Sequence, residues 1–119
     1  MTRRRSLPKS ARLRRSSEIR AILRSGRRRR CGSLDIYLRP ASTGRPPRIG
    51  VVVPRHGRTI VERNRLRRRL RELLRTGWLA EERERDAPRD LLVRASAGAY
   101  ARSFAELRCD LRDCLEGAP

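Results

Sequence analysis

Apolar residues recur along the chain with two different periods, and each change of period marks the start of a new predicted element. Near the N-terminus, Ile19, Ile22 and Leu23 follow the three-and-four spacing of a helix, and Gly26 is typical of its end. We expect one of two serines to cap the start of this helix, Ser16 or Ser17.

Period-two alternation then predicts strands. Residues 34–38 and 48–53 alternate apolar side chains with others, and a Pro- and Gly-rich loop over 40–47 separates the two runs. Pro54 ends the second run, and residues 90–95 are typical of a short buried strand.

A long helix is predicted after the second strand. The run Thr59-Ile60-Val61-Glu62 has the spacing of a capping box, with Thr59 as the N-cap. One side of this helix carries an apolar stripe of Leu66, Leu70, Leu73 and Leu74. The opposite side carries Asn64, Arg68, Arg71 and Arg75.

A second capping box, Ser103 with Glu106, predicts the closing helix. Gly77 and Pro88 are expected to break the polar stretch between the two helices. The expected inner face of the closing helix is Phe104, Leu107, Leu111, Cys114 and Leu115. The element order is therefore α-β-β-α-β-α. This order predicts an α+β two-layer sandwich of a small mixed sheet of three to four strands with about three helices.

Charge adds a constraint that the pattern alone does not give. Of 119 residues, 32 are basic and 13 acidic, for a net charge of +19. Residues 1–75 hold 25 of the basic side chains and only four acids, whereas residues 76–119 hold seven and nine. Such asymmetry favours a polyanionic partner. We expect a basic disordered arm over 1–9 and a single binding domain over 10–116.

Several classes of protein are not expected. The chain has no apolar run long enough for a transmembrane helix and no secretory signal. Three cysteines without CxxC spacing favour neither a disulfide framework nor a zinc site, and they fit a reducing compartment.

Catalytic groups are scarce. His56 is the only histidine, and no nucleophile motif or phosphate loop accompanies it. Most carboxylates lie over 81–90 and 106–116, where we expect solvated helix faces. We therefore predict no catalytic and no metal-binding side chain. Arginine, by contrast, grips phosphate bidentately and stacks on bases, so the long helix suits structured RNA.

These residues also form a pattern similar to a known family. The strand Arg48-Ile49-Gly50-Val51-Val52-Val53, a basic turn and the triplet Arg63-Asn64-Arg65 opening an arginine-rich helix resemble the signature of the bacterial ribonuclease P protein. The likeness extends to the first helix and first strand and covers roughly residues 10–115.

The resemblance implies a left-handed β-α-β crossover and a role as partner of a catalytic RNA that removes 5′ leaders from precursor tRNA, with Mg²⁺ held by the RNA. It implies contacts to the catalytic RNA from Arg63, Asn64, Arg65, Arg67, Arg68, Arg71 and Arg75. The turn before the helix would add Arg55, His56 and Arg58. A leader cleft would be lined by Ile19, Leu23, Tyr37 and Val52.

One departure from the family changes the expected leader contact. The family commonly has aromatic residues in the first helix, where this chain has Ile19 and Leu23. Base stacking on an aromatic ring contributes about 1–3 kcal/mol per base, so we expect the leader contact here to depend more on charge.

Other functions remain open at this point. A basic ribosomal or RNA-chaperone protein of similar fold is the main alternative, and a self-sufficient nuclease is a third. We expect a cytoplasmic protein that binds ribonuclease P RNA and precursor tRNA, with no membrane contact and no protein partner required.

Overall fold

The protein, seen in a computed structural model that describes residues 9–42 and 44–116, has the predicted α+β fold built on a small mixed sheet, with helices on both faces of that sheet. The helices are α1 (Ser16–Ser25), α2 (Ile60–Leu74), α3 (Ala80–Arg83) and α4 (Phe104–Glu116). The strands are β1 (Arg27–Cys31), β2 (Leu34–Pro40), β3 (Ile49–Val52) and β4 (Arg89–Ala95). They form one sheet in the order β1-β2-β4-β3.

The sheet is mixed. β1 pairs with β2 and β2 with β4 in antiparallel fashion, whereas β3 and β4 are parallel. Parallel neighbours require a crossover, and α2 lies in that connection. The β-α-β unit that the resemblance implies is therefore present. The left-handedness of its crossover stays a prediction. The predicted arm over 1–9 lies outside the described residues except for Lys9, which opens a 3-10 turn, Lys9–Ala11.

The two faces of the sheet are covered unequally. One face packs against α2 and α4 in the larger core, which includes Ile36, Val93 and Leu70. The other face carries α1 over a smaller cluster around Ile22 and Leu92. The alternation of strand residues therefore separates two apolar layers, and α1 covers only part of the second.

The predicted start of α2 is confirmed. Glu62 N donates to Thr59 Oγ1 (3.1 Å), and Thr59 N donates to Glu62 Oε1 (3.0 Å), which completes the capping box. Leu66, Leu70 and Leu74 are buried, and Leu73 packs beside them. Gly77 does not end the helix, contrary to prediction, because a π-helical turn over Arg75–Leu79 continues into α3. Burial of Trp78 and Leu79 favours that continuation.

Strand β1 was not predicted. Its sequence, Arg27 to Arg30 and then Cys31, has no apolar alternation, yet it pairs with β2 along its whole length. An edge strand can be this polar because one of its sides pairs with a neighbour while its side chains remain largely solvated.

The start of α1 also differs from prediction. The helix begins at Ser16, and Arg15 occupies the N-cap position without a side-chain hydrogen bond, so neither serine is the cap. Gly26 does stand at the C-cap, where its N–H donates to Ile22 O (2.7 Å).

The expectation that the three cysteines form no disulfide is wrong. Cys31 of β1 is bonded to Cys114 of α4, with the Cα atoms 5.5 Å apart and a sequence separation of 83. Spacing along the chain could not reveal this pair, because only the packing of α4 against the edge strand brings the two cysteines together. Cys109 is free and exposed.

Three side chains of the C-terminal third are also placed differently. Phe104, predicted on the inner face of α4, is 41% exposed. Glu82 and Asp90, predicted on solvated surface, are 3% and 1% exposed. Both carboxylates accept backbone hydrogen bonds, from Arg89 N (2.8 Å) and Arg48 N (2.9 Å) respectively, so they fix the start of β4 and its neighbour β3.

Within the described ranges, no helix combines the length and the apolar character needed to cross a bilayer.

Candidate nucleic-acid interface

The solvent-facing side of α2 carries a dense group of positive charges. Asn64, Arg65 and Arg68 are exposed, while Arg63 and Arg67 are partly exposed beside them. We call the predicted set on this helix the α2 basic face: Arg63, Asn64, Arg65, Arg67, Arg68, Arg71 and Arg75. Capping at Thr59 and burial of the leucines fix the direction of this face. The structure places six of its seven residues on α2 itself and Arg75 at the C-cap of the helix.

Few of these arginines have a counter-ion among the residues that the structure describes. Arg63 Nε donates to Thr59 O (3.4 Å) and Arg67 Nη1 donates to Asn64 Oδ1 (3.0 Å), and both acceptors are uncharged. The four carboxylates of residues 1–75 pair mostly outside the face: Glu18 with Arg48, Asp35 with Arg28, Arg30 and Arg94, Glu62 with Arg58, and Glu72 with Arg75. Close like charges destabilise a helix, so an external polyanion would stabilise this one.

Two members of the face differ from the rest. Arg75 donates from Nε to Glu72 Oε2 (3.1 Å), and this hydrogen bond raises the pKa of Arg75. Arg71 is partly buried, and burial, together with the positive charges of Arg12 and Arg67, lowers the pKa of its guanidinium. Arg75 is therefore partly neutralised inside the protein, whereas no described residue forms an ion pair with Arg71.

The turn before α2 presents its predicted residues at the surface. Arg55 and His56 are exposed, and Gly57 has a φ of 71°, a conformation that favours glycine. Arg58 lies over the Tyr100 ring, 4.3 Å from its centroid, and donates to Glu62 Oε2 (3.2 Å). Arg58 is thus held in place, and Arg55 and His56 are exposed beside it.

The four predicted cleft residues do meet on the α1 side of the sheet. Ile19, Leu23 and Val52 pack around the buried Leu13–Ile22–Tyr37–Leu92 cluster, and each of the three is partly exposed. Tyr37 is only 4% exposed, so little of its ring is available for stacking.

Gly50 of β3 permits the close packing of this cluster. A Cβ at Gly50 would lie 2.9 Å from Leu92 Cδ1 and 3.0 Å from Leu13 Cβ. A side chain there would therefore displace the segment that leads into α1.

Beside this cluster lies a group of charged residues that sequence reasoning missed. Asp35 Oδ2 lies 3.2 Å from Arg28 Nη2 and 3.5 Å from Arg94 Nη2, and its Oδ1 lies 3.2 Å from Arg30 Nε. Burial alone would raise the pKa of Asp35, but the Arg30 hydrogen bond and the charge of Arg28 lower it overall. We call these four residues the Asp35 cluster, which carries three positive charges against one negative.

The arginines of this cluster are visible in the sequence, but only the pairing register of β1 with β2 shows which of them lie on the same face of the sheet as Asp35. Arg28 pairs with Tyr37 and Arg30 with Asp35 in the antiparallel β1–β2 ladder, so they share the α1 face of the sheet. With β1 unrecognised as a strand, its alternate arginines could not be assigned to a face.

A second buried acid ties α1 to the sheet. Arg48 lies between Glu18 of α1 and Asp90 of β4, with its Nη2 3.6 Å from Asp90 Oδ2. Burial raises the pKa of Asp90, despite the hydrogen bond and charge of Arg48. Burial alone would also raise the pKa of Glu18, but its hydrogen bond to Arg48 lowers it overall. The network fixes the helix that forms one wall of the α1-side cluster.

The described residues offer no group of three or more His, Cys, Asp and Glu side chains arranged to hold a metal ion.

The fold and the many partly or fully exposed arginines of α2 together define a class: a small α+β protein whose crossover helix is suited to a polyanion. The ribonuclease P family model matches residues 7–118. The ribonuclease P protein component of Acidothermus cellulolyticus is 43% identical over 105 residues, covering 87% of this chain and 84% of that protein. The Mycobacterium avium ribonuclease P protein component is 36% identical over 117 residues, covering 95% of each. The chain belongs to the ribonuclease P protein family.

Solved structures agree on the fold. The RNase P protein of Staphylococcus aureus superposes with a TM-score of 0.75 at 18% identity, covering 91% of this chain and 94% of that one. The RNase P protein of Thermotoga maritima gives a TM-score of 0.74 at 21% identity, covering 91% and 97%.

Proposed function

We propose that this chain is the protein subunit of ribonuclease P and that it assists the endonucleolytic removal of 5′ leaders from precursor tRNA. The observation that carries the proposal is the α2 basic face, in a chain that belongs to this family. Arg65 and Arg68 are exposed there and have no carboxylate partner within the described residues. The phosphates of a catalytic RNA would supply the negative counter-charge for this surface.

In this proposal the α2 basic face holds the RNA subunit. Arginine donors bind phosphate oxygens bidentately, while Asn64 offers both a donor and an acceptor to a base edge or a ribose. The turn residues Arg55 and His56 extend the contact beyond the N-terminus of α2. A rigid helix fixed on the core by three leucines would keep these donors in register with a folded RNA.

The α1 side of the sheet would guide the single-stranded leader. Ile19, Leu23 and Val52 offer apolar surface to bases, and the Asp35 cluster places three arginines beside them. Tyr37 would act mainly as the floor of the cleft because its ring is largely covered. This arrangement supports a leader contact that depends more on charge than on stacking.

Hydrolysis itself belongs to the RNA in this proposal. The described residues supply no cluster of His, Cys, Asp and Glu side chains that could hold a metal ion, so Mg²⁺ is assigned to the RNA subunit. The protein would neutralise phosphate repulsion between catalytic RNA and substrate. No further protein partner is needed, and the cytoplasm, where precursor tRNA is made, is the proposed compartment.

Reconstitution with a bacterial ribonuclease P RNA and a precursor tRNA at low Mg²⁺ tests the proposal. Adding the protein should lower the Mg²⁺ concentration needed for cleavage and favour precursor over mature tRNA. The variant Arg65→Ala/Arg68→Ala should bind the RNA subunit more weakly and require more Mg²⁺. Arg83→Ala/Arg112→Ala removes the same charge from exposed sites outside α2 and should behave like the wild type.

Two results would contradict the proposal. A preference for ribosomal RNA with no effect on cleavage would favour a ribosomal or chaperone role instead. Cleavage of precursor tRNA by the protein without RNA would favour a self-sufficient nuclease.

A further inference from the structure

Cys31 links the edge strand β1 to the body of the protein. Arg27 to Arg30 are exposed, whereas Cys31, the one apolar residue of β1, packs against the larger core. Its disulfide partner Cys114 lies on α4 and is fully buried. Among the described residues β1 has a single neighbouring strand, β2. Besides that backbone ladder, the disulfide is the covalent bond that holds the edge strand on α4.

The same strand carries two arginines of the proposed leader surface. Arg28 and Arg30 each lie 3.2 Å from a carboxylate oxygen of Asp35, in the Asp35 cluster. Cys31 follows Arg30 directly and pairs with Leu34 where the β1–β2 hairpin turns. The position of Arg30 therefore depends on how firmly the Cys31 end of β1 is held.

The two cysteines are placed for a reversible thiol–disulfide reaction. Their Cα separation of 5.5 Å lies within the range that a disulfide needs, so the bond can form without moving the backbone. Cys31 is partly exposed, whereas Cys114 is 0% exposed, so an external thiol is expected to attack at Cys31. The attacking species in such an exchange is a thiolate, and the exposed arginines that precede Cys31 favour the approach of an anion.

We propose that Cys31 and Cys114 form a redox-responsive pair that exchanges with low-molecular-weight thiols and sets the affinity of the protein for the single-stranded leader. Cytoplasmic thiols keep most cysteines reduced, and the disulfides that do form there are commonly redox-sensing. The closed form holds Arg28 and Arg30 beside Asp35, and the open form releases the Cys31 end of β1. The effect on the leader rests on the proposed function, but the redox pair itself does not.

The exchange has two balanced steps. A thiolate, RS⁻, attacks Cys31 Sγ, the bond between the two Sγ atoms breaks, and Cys114 leaves as a thiolate that takes up a proton. A second thiolate attacks the small-molecule sulfur of the mixed disulfide at Cys31, which releases RSSR and leaves Cys31 to take up a proton in turn. Two electrons thus pass to the protein, and two small thiols are oxidised to one disulfide. The reverse sequence, with RSSR as the oxidant, closes the bond.

Glutathione redox buffers test the pair in the full-length Cys109→Ser variant, which lacks the exposed third thiol. After equilibration, free thiols are trapped by alkylation and counted by mass spectrometry. We expect Cys31 and Cys114 to open together as the proportion of reduced glutathione rises, and to close again when oxidised glutathione is restored. A bond that stayed closed at the most reducing ratio, or open at the most oxidising one, would overturn the proposal.

Single-cysteine variants in the same Cys109→Ser background test where the thiol attacks. Cys114→Ala should form a mixed disulfide with oxidised glutathione at Cys31. Cys31→Ser should react much more slowly, because its remaining thiol at Cys114 is buried. Urea should remove the difference by unfolding both variants. Equal rates without urea would overturn Cys31 as the point of attack.

Binding of precursor and mature tRNA to the reconstituted holoenzyme tests the effect on the leader. The closed form should bind precursor tRNA about two- to fivefold more tightly than the open form, which is the scale of one solvated charge contact. Mature tRNA, which has no leader, and the RNA subunit should bind both forms equally. Cys31→Ser/Cys114→Ala should bind precursor tRNA like the open form in either buffer. Equal precursor affinities of the closed and open forms would overturn the link to the leader.

Amide hydrogen exchange of the free protein tests the cause of that effect. The β1 amides should exchange faster in the open form than in the closed form, while the amides of α2 should not change. Unchanged exchange in β1 would overturn the proposed release of the strand. If the wild-type protein did not join the RNA while the glutathione experiments succeeded, the proposed function would fail and the redox pair would stand.

Discussion

Asp35 shows how one side chain can serve both stability and binding. Its carboxylate lies among Arg28, Arg30 and Arg94, and only 9% of its side chain is exposed. Without it, three guanidinium groups would repel one another on the open part of the sheet. With it, the cluster keeps an excess of positive charge that a nucleic acid strand can meet.

Replacing Asp35 by Asn should destabilise the protein by about 1–2 kcal/mol at pH 7, a modest value because the three arginines are largely solvated. The pKa of Asp35 lies below its ordinary value of 3.8 in the folded state, so its contribution is present above that pH. The contribution is lost as the pH falls through the folded pKa. Urea denaturation of both proteins at several pH values should show the difference shrinking only in acid.

The same variant should bind single-stranded leader RNA more tightly at neutral pH, since the arginines lose their internal counter-ion. A gain in leader affinity together with a loss of stability would be hard to explain by general damage to the fold. An unchanged affinity would remove the Asp35 cluster from the proposed leader path.

At this scale the sequence predicts side chains that depend on local spacing and misses those that depend on tertiary neighbours. The leucines of α2 follow from helical periodicity alone. The burial of Glu82 and Asp90 does not, because their partners are backbone groups at the start of β4 and β3. Phe104 follows the periodicity of α4, but it is the first residue of that helix and is 41% exposed.

Among the elements, α2 has the clearest separation of two sides: one side packs in the core, and the other is exposed to solvent. Its start could be predicted from Thr59 and Glu62 because a capping box is local. Its continuation past Gly77 could not, because burial of Trp78 and Leu79 outweighs the low helix propensity of one glycine. Strand β1 was missed for the opposite reason: pairing with β2 determines it, not its own composition.

Leu70→Ala tests how the core fixes α2. Leu70 is fully buried, so its truncation should lower the free energy of unfolding by about 2–5 kcal/mol. Ile60→Ala, on the same helix but 65% exposed, should change it by about 0.5 kcal/mol or less. Chemical denaturation measures both. Equal effects of the two changes would mean that α2 is oriented differently.

The Cys31–Cys114 disulfide joins the edge strand β1 to the last helix. It closes a loop with a sequence separation of 83, for which chain-entropy arguments give a stabilisation of about 2–5 kcal/mol. Adding a reductant should therefore lower the denaturation midpoint of the wild type. Cys31→Ser/Cys114→Ala should already show the lower midpoint and not respond to reductant.

Cys109→Ser serves as the control for this experiment, because Cys109 is exposed and free. It should keep the wild-type response to reductant. If the wild-type midpoint did not move on reduction, β1 and α4 would be held together by packing alone.

For the whole molecule, the net charge of +19 has opposite consequences for the free and the bound protein. In the free protein like charges repel, so added salt should screen them and raise the free energy of unfolding. In the RNA complex salt competes with phosphate contacts and should weaken binding. One property therefore predicts two salt dependences of opposite sign.

With about six phosphate contacts, log K for the RNA subunit should fall with log salt at a slope of about −4 to −5. Over the same salt range the unfolding midpoint of the free protein should rise. Arg65→Ala/Arg68→Ala should reduce the binding slope by up to about 2, since each lost phosphate contact removes about one unit. The same variant should also weaken the salt dependence of stability, because two repelling charges are gone. Arg83→Ala/Arg112→Ala should leave the binding slope unchanged. A slope near zero for the wild type would show that the positive charge of the protein does not contribute to RNA binding.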